Sequence, residues 1–134
     1  YVGQPWRTQE IVDEVLHTLY FNNPDGLSGN EDCGQMSAWY ILNAMGFYQV
    51  CPGKPVYSIG RPLFNEATVH LKDGKSFKVI AHNNSRDNKY VRSIVLNGNK
   101  LETPFFTHQD IVDGGTLELT MGAEPLMPDN ELRK

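Results

Sequence analysis

The sequence lacks abundant cysteine, long apolar runs and an excess of positive charge, and each shortage excludes a class of protein. Two cysteines in 134 residues are too few for a disulfide scaffold or a cysteine-rich zinc knuckle. No stretch approaches the roughly 20 apolar residues of a membrane-spanning helix. The formal net charge is −4, whereas a nucleic-acid-binding domain usually has a clustered basic face. We therefore expect neither a membrane segment nor a nucleic-acid partner.

What remains is the composition of one ordinary globular domain. Hydrophobic residues make up 40% and charged residues 21% of the chain, and 134 residues suffice for a single core. The chain opens on Tyr1-Val2-Gly3-Gln4-Pro5, without an initiator methionine or the pattern of a signal peptide. We therefore expect a piece of a longer chain, in which any targeting segment would lie upstream.

Apolar residues at helical spacing predict two helices near the N-terminus. The first should run from about Pro5 to about Tyr20, with Pro5 in its first turn. The second should run from about Cys33 to Met45 and stop at Gly46. Apolar side chains surround most of the second helix, which is typical of a buried helix. Its neighbours must therefore be the β part of this chain or helices outside this sequence.

After the helices the apolar pattern changes to period two, which predicts strands. Two alternating runs flank Asp73-Gly74 and should pair as a hairpin, and further strands are expected at Tyr90–Leu96 and Thr116–Met121. Between the last two, Thr107 with Asp110 three residues later predicts an N-capped helical turn. The predicted fold class is α+β, with two N-terminal helices followed by a C-terminal antiparallel β-sheet or small β-sandwich.

Three segments are predicted along the chain. The helices occupy residues 1–50, and the β domain occupies residues 51–122. Residues 123–134 contain two prolines and several charged side chains, so we expect a mobile tail there. The sequence has no internal repeat and no low-complexity tract that would indicate a further division.

The segment Gly29–Gly34, called the acidic turn below, carries the densest chemistry. It places two carboxylates and an amide at the start of the second helix, and helix N-termini favour anions. One interpretation is a helix cap, in which Asn30 or Asp32 accepts backbone N–H bonds and Glu31 is solvated. The other is an active site, because a cap needs only one such residue and flanking glycines allow close approach. The pattern alone leaves both open.

Standard metal and nucleophile motifs are absent from the sequence. An EF-hand loop needs oxygen ligands at alternate positions and a glycine at the sixth, and neither Gly26 nor Gly29 provides that register. No zinc-ligand spacing, phosphate loop or Gly-x-Ser-x-Gly motif occurs. Cys33 and Cys51 are expected to be free thiols that are buried as small apolar side chains, since free cysteine is commonly buried. A disulfide bridge between them is the alternative.

Three stretches of the sequence together resemble the closing section of glycoside hydrolase family 92. They are Gly3–Glu10, Pro24–Leu27 and Gly29–Tyr40, which read GQPWRTQE, PDGL and GNEDCGQMSAWY. The long central motif is specific to the family. Shorter stretches extend the resemblance to nearly all of the chain before its last dozen or so residues: Gly46–Tyr48, Cys51–Gly53, Tyr57–Phe64, Asn97-Gly98, Thr107–Ile111 and Gly114–Leu117.

The resemblance implies a calcium-dependent, exo-acting α-mannosidase, periplasmic or secreted. Members of the family invert configuration, mostly at α-1,2 linkages, and act on mannose-containing oligosaccharides of N-glycans or yeast mannan. They are several times longer than this chain and join an N-terminal β-sandwich to an (α/α)6 barrel. This chain would then supply the last barrel helices and the C-terminal β segment, packed on the missing N-terminal part of its own chain. The isolated piece should be inactive.

Inverting hydrolysis needs a carboxylic acid and a carboxylate base on opposite faces of the sugar, about 6.5–9.5 Å apart. Glu31 and Asp32 are sequence neighbours, so they are poor candidates for filling both roles. The resemblance places the base in the acidic turn, at Asp32 by motif match, with Glu31 beside it as a further catalytic candidate. Some members of the family carry Asp where this chain has Asn30. Because this chain has an amide there, Asn30 would be a positioning group at most. The acid is expected upstream.

Two more site residues are expected from the first stretch of the resemblance. Glu10 would be one calcium ligand, with a plain first-turn acid as the alternative. Trp6 lies where the chain enters the first helix, so its ring either joins the core or offers a substrate sugar a stacking face. A function of another class stays open, namely a non-catalytic β-sandwich module that binds glycan or packs against a neighbour. That module would need exposed aromatics, for which the candidates are Tyr90, Phe105 and Phe106.

Overall fold

The computed structural model describes residues 1–127, which form three α-helices, eight strands and one 3-10 turn. The helices are α1 (Pro5–Thr18), α2 (Gln35–Met45) and α3 (His108–Val112). The strands are β1 (Phe47–Tyr48), β2 (Val56–Ile59), β3 (Glu66–His70), β4 (Ser76–His82), β5 (Tyr90–Leu96), β6 (Asn99–Lys100), β7 (Phe105–Thr107) and β8 (Gly115–Gly122). The 3-10 turn, Lys72–Gly74, joins β3 to β4. This order confirms the α+β class predicted from the sequence.

The two N-terminal helices form a helical hairpin, comprising α1, α2 and the loop between them. Pro5 begins α1, where its missing N–H and fixed φ suit the first turn. Gly46 ends α2 at φ 99°, a left-handed conformation that glycine adopts without a steric penalty. The Tyr20 hydroxyl donates to the carbonyl of Met36 at 3.2 Å and fastens the end of α1 to the start of α2. α1 ends at Thr18, two residues before the predicted end.

Helix α2 is less covered than its apolar circumference predicts. Only Asn43 and Ala44 are buried in it, and Ile41 is 57% exposed. β1 follows α2 directly and packs at its C-terminal end. Of the two kinds of neighbour expected for α2, the β part covers its C-terminal end. Tyr20, which follows α1, contacts Met36 and Trp39, and Ile41 stays exposed within residues 1–127.

The strands, which with α3 make up the β part, lie in two sheets. Three antiparallel strands form one sheet in the order β1-β2-β7, and five strands form the other in the order β3-β4-β8-β5-β6. The hairpin predicted around Asp73-Gly74 is confirmed as the antiparallel pair β3–β4. One pairing differs from the antiparallel prediction, because β4 and β8 run parallel. The chain passes through β5, β6, β7 and α3 before β8 inserts between β4 and β5.

A single apolar core joins the two sheets. The Phe47 ring of the small sheet meets Phe77 of the large sheet edge to face, with ring centroids 6.4 Å apart. Phe106, also from the small sheet, stacks on Phe77 with centroids 5.7 Å apart. Phe77, Leu117 and Leu119 are completely inaccessible to solvent. Burying side chains of this size contributes about 1.5–3 kcal/mol each, so these residues hold the β part together.

Polar contacts fasten α1 to the β part. Gln9 is buried, and its side-chain oxygen accepts the backbone N–H of Val91 at 3.1 Å, beside a bulge in β5. The buried Arg61 guanidinium, which follows β2, donates to the Asp13 carboxylate. Both contacts satisfy polar groups that would be costly to leave unpaired inside the protein. The predicted division at residue 50 stays a prediction.

The cysteines and the C-terminal segment differ from expectation in specific ways. Cys33 and Cys51 are free, as predicted, but both are exposed, so their predicted burial is wrong. Both lie in loops, outside the apolar faces of helices and strands. Arg92 donates to the carbonyls of Glu124 and Pro125 at 2.8 and 2.9 Å, at the start of the predicted tail. Residues 128–134 of that tail lie outside the described part of the chain. Within residues 1–127, no helix is long and apolar enough to span a bilayer.

Candidate active site

The acidic turn has an unusual backbone. Asp32, Cys33 and Gly34 have φ values of 54°, 60° and 93°, so three consecutive residues are left-handed. Residues other than glycine adopt this region infrequently, and each costs about 1–3 kcal/mol when held there. Consecutive left-handed residues are rarer still. This geometry delays α2, which begins at Gln35 instead of Cys33 as predicted.

Glu31 is the residue that caps α2. Its two carboxylate oxygens accept from the backbone N–H of Ser37 at 3.1 Å and from the Ser37 hydroxyl at 3.0 Å. The carbonyl of Glu31 also accepts from the N–H of Met36 at 3.1 Å. Ser37 is in the first turn of α2, where N–H groups have no partner inside the helix. The cap predicted at Asn30 or Asp32, with Glu31 solvated, is therefore wrong.

Asp32, the next residue, does not take part in the cap. Its side chain is exposed, and it forms no hydrogen bond or ion pair with any of residues 1–127. Asn30 is also exposed. The same turn thus contains a carboxylate occupied by capping and a carboxylate free to act on a bound molecule. The turn therefore caps α2 through Glu31, and an active-site role for Asp32 stays a prediction.

An aromatic cavity lies beside Ser37, the residue that Glu31 caps, and no residue of the acidic turn lines it. It has a volume of about 430 Å³, and its wall includes Tyr20, Phe21, Tyr40, Ile41 and Ser37. The Tyr20 ring stacks on Trp39 with centroids 5.8 Å apart and an interplanar angle of 7°. Burial raises the pKa of the Tyr20 hydroxyl, and the negative charge of Glu31 raises it further. Sequence reasoning did not single out Tyr20 or Ser37, because their roles depend on the closing of the hairpin.

Trp6 lies in a different cavity. Its half-buried ring lines a space of about 260 Å³ whose other walls include Ile59, Val91 and Pro104. Asp32 does not line this cavity. Along α1, Trp6 is about 18 Å from Thr18 at a rise of about 1.5 Å per residue, and the acidic turn adjoins that far end. The structure therefore does not bring Trp6 and Asp32 together, and sugar stacking on Trp6 stays a prediction.

Glu10 connects α1 to β5. One carboxylate oxygen accepts the Tyr90 hydroxyl at 2.7 Å, and the other accepts the Arg7 guanidinium at 2.8 Å. The Tyr90 hydrogen bond, and then the Arg7 hydrogen bond, lower the pKa of the Glu10 carboxyl. The same bond to Glu10 is the main cause of a raised pKa at Tyr90.

Glu10 does not fit a calcium site in this arrangement. Calcium takes 6–8 oxygen ligands, and residues 1–127 contain no cluster of three acidic, histidine or cysteine side chains that could hold a metal. The positive charge of Arg7 against the carboxylate also opposes a divalent cation. A calcium role for Glu10 stays a prediction, and it would need most ligands from elsewhere and a movement of Arg7.

The aromatics expected of a glycan-binding module are not surface platforms. Tyr90 and Phe106 are buried, at 8% and 3% exposure. Phe105 is half-buried and packs against Tyr1, with ring centroids 5.1 Å apart. The described residues therefore give this alternative no stacking face on the candidate strands.

Comparison with known families gives one clear match. The sequence model of the glycosyl hydrolase family 92 catalytic domain matches residues 1–123. A protein of Arthroderma benhamiae described as an uncharacterized secreted glycosidase is 29% identical over 127 residues, which are 92% of this chain and 16% of that protein.

Solved structures agree with this match. A family 92 α-mannosidase from Bacteroides thetaiotaomicron, solved with mannoimidazole, is 41% identical with a TM-score of 0.88, over 94% of this chain and 17% of that one. A family 92 inverting mannosidase from the same organism is 47% identical with a TM-score of 0.85, over 93% of this chain and 17% of that one. The chain thus spans about one sixth of the length of these relatives.

Proposed function

This chain belongs to glycosyl hydrolase family 92, and on that premise we propose that it is the C-terminal part of a longer inverting exo-α-mannosidase, to which it contributes the general base Asp32. One observation carries the assignment of the base. In the acidic turn, Asp32 is exposed and unengaged among residues 1–127, while Glu31 has both oxygens bound to Ser37. Asp32 is the carboxylate of the pair that is free to accept a proton.

The proposed reaction assigns Asp32 one task. It takes a proton from a water molecule as that water attacks the anomeric carbon from the face opposite the leaving oxygen, so the configuration inverts. The left-handed backbone at Asp32 and Cys33 sets the direction in which the Asp32 side chain leaves the turn. The rest of the longer chain and the bound sugar would then position its carboxylate as the base. Asn30, which is also exposed, would orient the water or the sugar.

The general acid is proposed to come from the missing part of the chain. Asp32 and Glu31 cannot stand on opposite faces of one sugar ring, because they are adjacent and Glu31 is tied to α2. An inverting pair needs about 6.5–9.5 Å between its carboxyl groups to hold the water. The exposed side of the helical hairpin would face the part of the chain that supplies this acid.

The linkage preference, the cofactor and the location are inferred from the family and from the names of the relatives. We infer preference for α-1,2-linked mannose in N-glycan or mannan oligosaccharides, with calcium as cofactor and most of its ligands outside this chain. The name of the fungal relative supports a secreted protein, and a periplasmic location is the bacterial equivalent. The mannoimidazole complex of a structural relative supports a mannose-sized ligand.

The function is tested by following the first product of the full-length enzyme. Hydrolysis of an aryl α-mannoside, watched by proton NMR, should release β-mannose before mutarotation mixes the anomers. The 134-residue chain alone should show no turnover, because it lacks the acid. Release of α-mannose first, or turnover by the isolated chain at a rate near that of the intact enzyme, would overturn the proposal.

A further inference from the structure

A polar cavity lies away from the acidic turn, where α1 meets two loops of the β part. It has a volume of about 280 Å³ and is lined by His17 from the last turn of α1, by the β2–β3 connection and by the β4–β5 connection. The residues that these two connections contribute are Arg61, Leu63, Asn65, Asn84, Ser85 and Arg86. The acidic turn and Trp6 do not contribute to this wall.

Two buried polar atoms of the wall residues have no partner among residues 1–127. They are Nε of Arg61, a donor, and Oδ1 of Asn84, an acceptor. Arg61 is only 5% exposed, and its two other nitrogens donate to Asp13 and to the carbonyl of Ser85. The Asn84 amide nitrogen donates to the carbonyl of Pro62 at 3.3 Å, which fixes its oxygen as the free end. An unpaired buried group costs about 1–3 kcal/mol, so such atoms usually have a ligand or water.

The charges around the cavity favour an anion. Asp13 neutralises Arg61, and the His17 ring is turned toward the same carboxylate, with Nδ1 3.1 Å from Oδ1. Arg86 has no acidic partner among the described residues and adds an uncompensated positive charge. The cavity therefore presents several donors and one net cation, and a guanidinium is well suited to oxyanions.

The unpaired oxygen of Asn84 restricts the class of anion that fits the cavity. Asn84 Oδ1 needs a donor, while Arg61 Nε and the Arg86 guanidinium need acceptors. Hydrogen phosphate offers both, because it carries acceptor oxygens and at least one O–H near neutral pH. Sulfate has the same shape and a similar charge but no hydrogen to donate.

We propose that this cavity, between His17, Arg61, Asn84 and Arg86, is a binding site for a phosphate-containing ligand that also carries a hydroxyl donor. Its source is either free phosphate or a phosphate ester whose own hydroxyl groups supply the donor. The site is separate from the acidic turn, and no chemical step is assigned to it. It would bind its ligand whether or not the mannosidase assignment is correct.

In the test, phosphate is titrated into the full-length protein, and binding is followed by calorimetry. We expect saturable binding at one site, with sulfate about tenfold weaker because it leaves the Asn84 oxygen facing an anion without a hydrogen bond. Glucose 6-phosphate serves as the ester probe. Ester binding tighter than inorganic phosphate identifies an ester as the natural source, and the reverse identifies free phosphate.

Variants separate the cavity from other anion sites. Arg86→Gln should weaken phosphate binding by about tenfold or more, because a charge-assisted bond is lost. Asn84→Asp should weaken it by at least as much, because the new carboxylate repels the anion. Arg61→Lys keeps the charge beside Asp13 but removes the Nε donor, so it should also weaken binding. Lys72→Gln removes a charge from an exposed residue outside the cavity and is the matched control.

The outcomes are distinguishable from those for the catalytic proposal. Arg86→Gln should leave the rate of mannoside hydrolysis unchanged while it weakens phosphate binding. No phosphate binding, or equal binding by Arg86→Gln and Lys72→Gln proteins, would overturn the site and mean that water fills the cavity. Equal affinity for sulfate and phosphate would overturn the role given to Asn84.

Discussion

The two regions of this molecule differ in how far they complete their own packing. In the β part, Phe77, Leu117 and Leu119 are fully buried, and one core unites both sheets. In the helical hairpin, Leu16 and Ala44 are buried, whereas Phe21 and Ile41 are each 57% exposed. The β part thus encloses its core, while the hairpin presents apolar side chains that would stabilise the fold further if they were covered.

The difference explains where the candidate site lies. The acidic turn and its neighbouring cavity are on the less enclosed region, where the hairpin loop meets α2. Family relatives extend over about six times the length of this chain, and we infer that their additional chain covers this side of the hairpin. The β part would then serve as a rigid support that holds α1 through Gln9, Glu10 and Asp13.

The largest expected difference is in the free energy of unfolding of two phenylalanine variants, one from each region. Phe77→Ala should lower the free energy of unfolding by about 3–5 kcal/mol, because it opens a cavity in a closed core. Phe21→Ala should change it by less than about 0.5 kcal/mol in this chain, since the ring is already largely exposed. Urea denaturation of the two variants checks the contrast, and equal losses would show that the two regions are packed alike.

The next largest loss of stability is expected at the contact between α1 and the β part. Asp13→Ala leaves the buried Arg61 guanidinium without its counter-charge and should cost about 3 kcal/mol. Glu66→Ala breaks an exposed ion pair with Lys78 and is the matched control, with an expected loss of at most about 1 kcal/mol. Thermal unfolding of both proteins gives the comparison. A smaller loss for Asp13→Ala than for the control would mean that this contact does not fasten α1.

The cap of α2 should have a smaller effect. Glu31→Ala removes the acceptor for the Ser37 N–H and should destabilise the protein by about 1 kcal/mol. Asp25→Ala, an exposed acid in the same loop, is the control and should be nearly neutral. Chemical denaturation measures both. A neutral Glu31→Ala variant would contradict the capping role.

The smallest effect concerns a pKa. Tyr90→Phe removes the main cause of the lowered pKa of Glu10, so that pKa should rise toward its ordinary value in a carbon-13 NMR titration. Because the folded pKa is below the unfolded one, the contact stabilises the protein above the ordinary glutamate pKa and is lost as pH falls through the folded value. Tyr20→Phe is the control. An unchanged Glu10 pKa in Tyr90→Phe would assign the shift to Arg7.

Structural features that depend only on a short stretch of sequence were predictable. Pro5 at the start of α1, the β3–β4 hairpin and the capping box of Thr107 and Asp110 all follow from local patterns, and all are confirmed. The parallel pairing of β4 with β8 was not predictable, because it is decided by which strand completes the core. The membership in family 92, inferred from the motifs, is also confirmed.

The sequence singled out the acidic turn as a candidate site, but it did not indicate which of the two carboxylates caps α2. Turn-forming residues between two glycines identified the acidic turn. The choice between Glu31 and Asp32 as the cap depends on the left-handed backbone at Asp32 and Cys33, which turns the two carboxylates in different directions. The Arg61 contacts were also missed, because Arg61 and Asp13 are distant in sequence and carry no local pattern.

The most direct test of the central claim compares kcat for two variants of the full-length enzyme. Asp32→Ala should lower kcat by about 10²–10⁴-fold with the fold retained, because a positioned general base contributes about that much. Glu31→Gln, which keeps a polar side chain against Ser37, should lower kcat by less than about tenfold. Circular dichroism of both variants verifies the fold. Near-normal turnover by Asp32→Ala, or a larger loss for Glu31→Gln, would contradict the account.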